Sequence, residues 1–192
     1  MSTELLKLSD LAEVRSGYTF RGALEHDPSG DVRVLQIKDL RQNTAIEPEK
    51  LIAITWDART APLLLQAGDI TVIARGDSNK AALYKDEQPV VATSQFFIVS
   101  IKRPNILPEY LCWMINLPQS QRSLERSGSS IQAISKGALQ EMQIPLPPLA
   151  TQQKLIDLQR LWDEEDQLVA HLQTNRKQMQ QGIYQHLIGI ES

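Results

Sequence analysis

Ile144-Pro145-Leu146-Pro147-Pro148-Leu149-Ala150-Thr151-Gln152-Gln153 is where the chain changes character. Proline lacks a backbone N–H and fixes φ, so three prolines within residues 145–148 neither continue a helix nor sit inside a sheet. This predicts a boundary, with one domain over residues 1–147 and a helical element over 148–192. Residues 151–188 hold no proline and one glycine, Gly182, and Thr151 suits a helix cap. Read in sevens, Leu155, Leu158, Trp162, Val169, Leu172, Met179 and Ile183 share one seam, which Glu165, Arg176 and His186 interrupt. Such a helix extends about 57 Å at ~1.5 Å per residue, while a domain of this size is roughly 40 Å across. The helix is therefore expected to overhang its own domain and to need a partner helix over its apolar stripe. The other reading is a hairpin folded at Asp163-Glu164-Glu165-Asp166, although that tetrad offers no Gly or Pro to break the helix.

Upstream of the prolines, residues 32–37, 51–54, 70–74, 89–92 and 96–101 read as strands, rich in Val and Ile and bounded by Gly, Asp, Asn or Pro. Gly68-Asp69 marks a turn into the third of these. Helices are expected over 108–117, with Pro108 in the first turn, over about 119–126, and after Ser135 as N-cap. Strands dominate the middle and helices the end, which predicts a mixed α/β (α+β) domain followed by a long C-terminal coiled-coil-type helix.

The 192 residues, 42% hydrophobic and 22% charged, have the composition of a globular protein. No apolar run approaches the ~20 residues that cross a bilayer. Met1-Ser2-Thr3-Glu4 lacks the basic-then-apolar order of a signal peptide, so a cytoplasmic protein without membrane contact is expected. Cys112, the single cysteine, lies in apolar Tyr110-Leu111-Cys112-Trp113-Met114-Ile115 and reads as a small buried hydrophobe. The net charge of -3 counts against binding nucleic acid by bulk attraction, which Lys and Arg supply by neutralising phosphates. Any such binding needs local basic groups and help from another subunit.

A catalytic centre should leave a cluster of polar groups able to move protons or hold a metal. His26 lies in a loop, and His171 and His186 stand fifteen apart on the helix, away from metal-ligand spacing. No lysine has Asp or Glu two residues before it, as a metal-dependent nuclease strand would. No phosphate-loop or dinucleotide glycine motif occurs. The expectation is no catalytic residue, no metal and no cofactor, which disfavours an enzyme acting on nucleic acid.

Three polar segments are suited to reading DNA. In Ala74-Arg75-Gly76-Asp77-Ser78-Asn79-Lys80, Arg75 and Lys80 can meet phosphate or guanine and Asn79 can pair with adenine. In Arg126-Ser127-Gly128-Ser129-Ser130-Ile131-Gln132, the small polar residues Ser127, Ser129, Ser130 and Gln132, with Lys136 further on, suit backbone and phosphate contacts. In Gln36-Ile37-Lys38-Asp39-Leu40-Arg41, alternate side chains Gln36, Lys38 and Arg41 leave a strand end toward a groove. Each segment also reads as an ordinary solvated loop.

Taken in order, four further pieces resemble the specificity subunit of type I restriction-modification enzymes. They are Leu8-Ser9-Asp10-Leu11-Ala12-Glu13-Val14-Arg15-Ser16-Gly17; Ala67-Gly68-Asp69-Ile70 followed by Ala74-Arg75-Gly76; Thr93-Ser94-Gln95 before a strand; and Ile134-Ser135-Lys136 with the proline segment and Gln153. The resemblance implies a target-recognition domain contacting one half of a split double-stranded DNA site, adding Ser94 and Gln95 to the DNA-contacting set. It also implies a helix serving as spacer and as dock for methyltransferase subunits and, where present, restriction subunits. Family members usually carry two such domains and two such helices. One of each here, with the exposed seam, predicts a homodimer through residues 151–188 that reads a palindromic split site. A protein-protein interaction module tethered by the helix is the alternative, mildly favoured by the negative charge.

Overall fold

The computed structural model describes residues 4–40, 45–56, 62–76, 78–127 and 133–188. The chain forms two compact units, Met1–Gln152 and Gln153–Ser192. In order, the elements are β1 (Glu4–Lys7), α1 (Leu8–Leu11), β2 (Ala12–Ser16), β3 (Val32–Leu35), α2 (Ile37–Leu40), β4 (Ile52–Ile54), β5 (Ile70–Ile73), β6 (Ala81–Leu83), β7 (Val90–Ala92) and β8 (Phe96–Ile101). There follow α3 (Pro108–Asn116), α4 (Pro118–Ser127), α5 (Lys136–Gln140), β9 (Gln143–Leu146) and α6 (Leu149–Ile188). This is a mixed α/β domain followed by a long helix, as the sequence predicts.

Among the described residues the strands form three sheets. β2-β8-β5-β6 is antiparallel throughout. In β4-β3-β7 the β3–β7 pair is parallel, and β1 pairs with β9 alone. Leu35 of β3, Ile73 of β5, Val90 of β7 and Phe96 of β8 share one buried cluster, so the two larger sheets bury a common core. β5 is buried at all four positions, with the Thr71 hydroxyl satisfied by the Ala82 carbonyl, which explains why its Ile-rich and Val-rich run reads so clearly.

Several expectations need correction. The strand expected over residues 32–37 stops at Leu35, because the Asp39 carboxylate accepts the Gln36 N–H at 2.8 Å and turns the chain into α2. Sequence reading passes over β1, β2, β6 and β9, each only three to five residues long. The proline segment was expected to exclude a strand, yet Pro145 sits in β9 opposite Leu5. With β1 as its one partner among the described residues, β9 is an edge strand, where a missing N–H need not break a ladder. The Tyr110 hydroxyl then donates to the Pro145 carbonyl at 2.7 Å. Thr151 does not cap the long helix, which starts at Leu149 directly after Pro147-Pro148. Between its described ends α6 is one unbroken helix of 40 residues, so the hairpin reading falls.

Other readings hold. Pro108 opens α3, and the Ser135 hydroxyl accepts the Ala138 N–H at 3.0 Å at the start of α5. Gly68 adopts φ +96° in the turn before β5, a region that favours glycine. The buried Asp69 that follows accepts from the Gln66 N–H, the Ser100 hydroxyl and the Arg15 guanidinium, at 3.0, 2.6 and 3.3 Å. Gln152 is wholly buried: its amide oxygen accepts the Leu107 N–H at 2.9 Å and its amide nitrogen donates to the Asn105 and Pro147 carbonyls. That task needs donor and acceptor on one side chain, which an ionised glutamate does not offer. Cys112 on α3 is only partly buried by exposed area, but desolvation pushes its thiol up to about 12.

Candidate functional site

Backbone hydrogen bonds draw the separate polar segments of the first unit to one edge. Thr93 N–H donates to the Leu35 carbonyl at 3.1 Å, setting the turn between β7 and β8 beside Gln36. Ala74 N–H donates to the Gln95 carbonyl at 2.8 Å, and Ile134 N–H to the Ala74 carbonyl at 3.0 Å. Arg75 and Ala133 form an antiparallel bridge. A Cβ on Gly76 would lie 3.5 Å from Ile37 Cδ1, so the loop after β5 lies against α2. Segments far apart in sequence thus meet where β3 and β5 end and β8 begins.

Lys38, Arg75, Ser94, Gln95, Lys80 and Lys136 are exposed there, and Gln36 is half-buried. The four cations among them have no ion-pair partner among the described residues. Asn79 differs: it is 8% exposed, its backbone carbonyl accepts from Gln121, and its side-chain oxygen has no hydrogen-bond partner among the described residues. As placed, its amide does not face outward. Ser127 ends α4, while Arg41, Ser129, Ser130 and Gln132 lie outside the described residues. Among the described residues no group of three His, Cys, Asp or Glu could hold a metal ion.

The same edge carries three aromatic residues that the sequence reading did not single out. Tyr18, Phe20 and Trp56 pack edge to face, with ring centroids 4.9 Å apart for Tyr18–Phe20 and Tyr18–Trp56 and 6.0 Å for Phe20–Trp56. All three remain half-buried. Tyr18 is clamped to the β7–β8 turn, since its N–H donates to the Ala92 carbonyl and its carbonyl accepts the Ser94 N–H, both at 2.8 Å. Gly17 permits this approach, because a Cβ there would lie 2.1 Å from the Thr93 carbonyl oxygen. The available signal was Gly17-Tyr18-Thr19-Phe20, two aromatics at period two behind a glycine.

On α6, Leu158, Trp162, Val169, Leu172, Met179 and Ile183 are exposed, Leu172 by 68%, while Leu155 is half-buried. Leu161 and Leu168, outside the sevenfold seam, are exposed by 61% and 64%. The apolar stripe is therefore wider than the predicted one.

A family model described as "Type I restriction modification DNA specificity domain" matches residues 2–174. No curated protein matches the chain significantly. Among solved structures, one described as the structural basis underlying complex assembly and conformational transition of the type I R-M system contains a similar chain. Its TM-score is 0.64 at 18% identity, over 88% of this chain and 39% of that one. The HsdS subunit from Thermoanaerobacter tengcongensis is similar with TM-score 0.60 at 16% identity, over 88% and 38%. The type I restriction-modification S subunit from M. genitalium gives 0.58 at 16%, over 92% and 43%. At these identities the likeness speaks for the fold, and the chain spans about two fifths of each of those proteins.

Proposed function

Because the chain belongs to the family of type I restriction modification DNA specificity domains, we propose that residues 1–147 are a target-recognition domain reading one half of a split double-stranded DNA site. Residues 148–192 then serve as the spacer that pairs two copies and docks methyltransferase subunits, and the chain performs no chemistry itself. One observation supports the readout most: polar segments from four parts of the sequence are locked into one edge by backbone hydrogen bonds, with Lys38, Arg75, Lys80 and Lys136 exposed there and without an ion-pair partner among the described residues. Gln95 and Ser94 add amide and hydroxyl groups suited to base edges. Residues 1–152 carry seventeen acidic against sixteen basic side chains. The domain has no bulk positive field, so the catalytic subunits supply much of the phosphate grip.

The seam itself supports an antiparallel pairing of two copies. A register centred between Ala170 and His171 sets Leu155 opposite His186, Leu158 opposite Ile183, Trp162 opposite Met179 and Val169 opposite Leu172. The same register sets Glu165 against Arg176, turning both charged interruptions into complementary pairs. A parallel pair in register would instead face Glu165 with Glu165 and Arg176 with Arg176. Leu161 and Leu168 stay outside this seam, leaving apolar surface for a further subunit. Glu165→Arg or Arg176→Glu alone should weaken dimerisation in sedimentation equilibrium, and the double variant should restore it. A double variant as weak as the single ones would exclude this register.

Co-expression with a methyltransferase subunit, followed by mapping of methylated adenines in host DNA, tests the whole reading. A palindromic gapped motif supports readout by two identical domains, and an asymmetric motif assigns the other half to a different chain. Absence of methylation, with binding that does not weaken as salt rises, returns the protein-interaction reading.

A further inference from the structure

We infer that Tyr18, Phe20 and Trp56 form an apolar step that contacts a thymine methyl group within the DNA site, making these rings specificity determinants beside the polar readers. The inference rests on the DNA-recognition reading above. Three aromatic side chains at the end of a domain normally complete the core or cover it, but these three pack edge to face on one another and are only half-buried. Their positions are fixed from both sides. Tyr18 is hydrogen-bonded through its backbone to the turn that presents Ser94 and Gln95. At the end of β4, the Trp56 N–H donates to Asp31 Oδ1 at 2.9 Å, and the Thr55 hydroxyl donates to Asp27 Oδ2 at 2.6 Å. Ser29 also donates to the Asp27 carboxylate through its N–H and hydroxyl, and these bonds hold it below the usual carboxylate range.

A rigid apolar patch continuous with a polar, cationic edge calls for a ligand offering both characters at the same spacing. The major groove of duplex DNA lines its floor with donors and acceptors, and its one apolar group is the C5 methyl of thymine. Exposed Arg21, directly after Phe20, adds a charge suited to the adjoining phosphate. Because the rings are pre-packed edge to face, contact with a methyl group costs little ordering of side chains. Insertion between base pairs would require them to separate.

The test uses the full chain with its methyltransferase partner and a duplex carrying the mapped motif, in which each dT is replaced singly by dU. Binding is followed by fluorescence anisotropy. At one position the loss of the methyl should weaken wild-type binding about fourfold, the worth of one buried methyl-sized group. Phe20→Ala should bind the dT duplex correspondingly less well and show no further loss with dU, while Phe20→Leu, which keeps an apolar contact, should retain the discrimination. Thermal melting of each variant checks that the domain stays folded, and the wild-type dU series stands without any variant. If no dU substitution alters wild-type binding, or if the Phe20→Ala and dU losses simply add, the inference is overturned while DNA recognition survives. If the wild-type complex fails to distinguish the motif from unrelated duplex, the recognition reading itself falls and takes this inference with it.

Discussion

In residues 1–152 the large apolar side chains are mostly hidden, with Leu35, Tyr84, Phe96 and Ile98 fully buried, whereas Leu158, Trp162, Leu168, Leu172 and Leu187 of α6 stand exposed. The two regions therefore depend on different things. The first satisfies its own core and turns its polar remainder outward at one edge. The second keeps regular helical geometry locally but leaves its apolar stripe exposed. A fault in one region should accordingly leave the other intact, and substitutions can probe that separation.

The largest expected effect falls on the helix. Leu172→Asp places a charge at the middle of the seam and should abolish association of two copies at micromolar concentration, while the melting of the first unit is unchanged. Light scattering that still reports the wild-type mass would exclude the seam as the contact. Next comes the start of α6, where Gln152→Ala removes the partner of the Leu107 N–H and of two carbonyls. A loss of about 2–3 kcal/mol in urea unfolding is expected, from leaving buried groups unpaired. A shift under 0.5 kcal/mol would mean that water replaces the amide at little cost. Smaller still for the fold, Arg75→Ala or Lys80→Ala should leave unfolding unchanged, because both side chains are exposed and without ion-pair partners among the described residues. Motif affinity should fall roughly tenfold or more, as for a guanine contact worth about 1–3 kcal/mol. Unchanged affinity in both would remove this loop from the interface.

The separation also shows how far sequence reading reaches. α6 was legible because it obeys one local period over forty residues without an internal proline. β5 and β8 were legible because burial on both sides or along a long run leaves a dense apolar signature. β1 and β9 were not, since each is short and each is a strand only because the other pairs with it. The polar segments could be picked out singly, from residue type and turn chemistry. The aromatic step could not, because Trp56 lies 36 positions beyond Phe20 and their contact has no local trace.

By itself the sequence determined the class of domain, the long helix and its apolar seam, and the family resemblance, since local periodicity and short motifs carry all of these. The tertiary structure alone decided that Gln36, Arg75, Gln95 and Lys136 share an edge, that Asn79 is turned inward, and that Tyr18, Phe20 and Trp56 meet. The physical reason is that an interface built from loop ends is positioned by strand pairing across the sheets. Such pairing joins residues separated by tens of positions and leaves no period for a sequence to display.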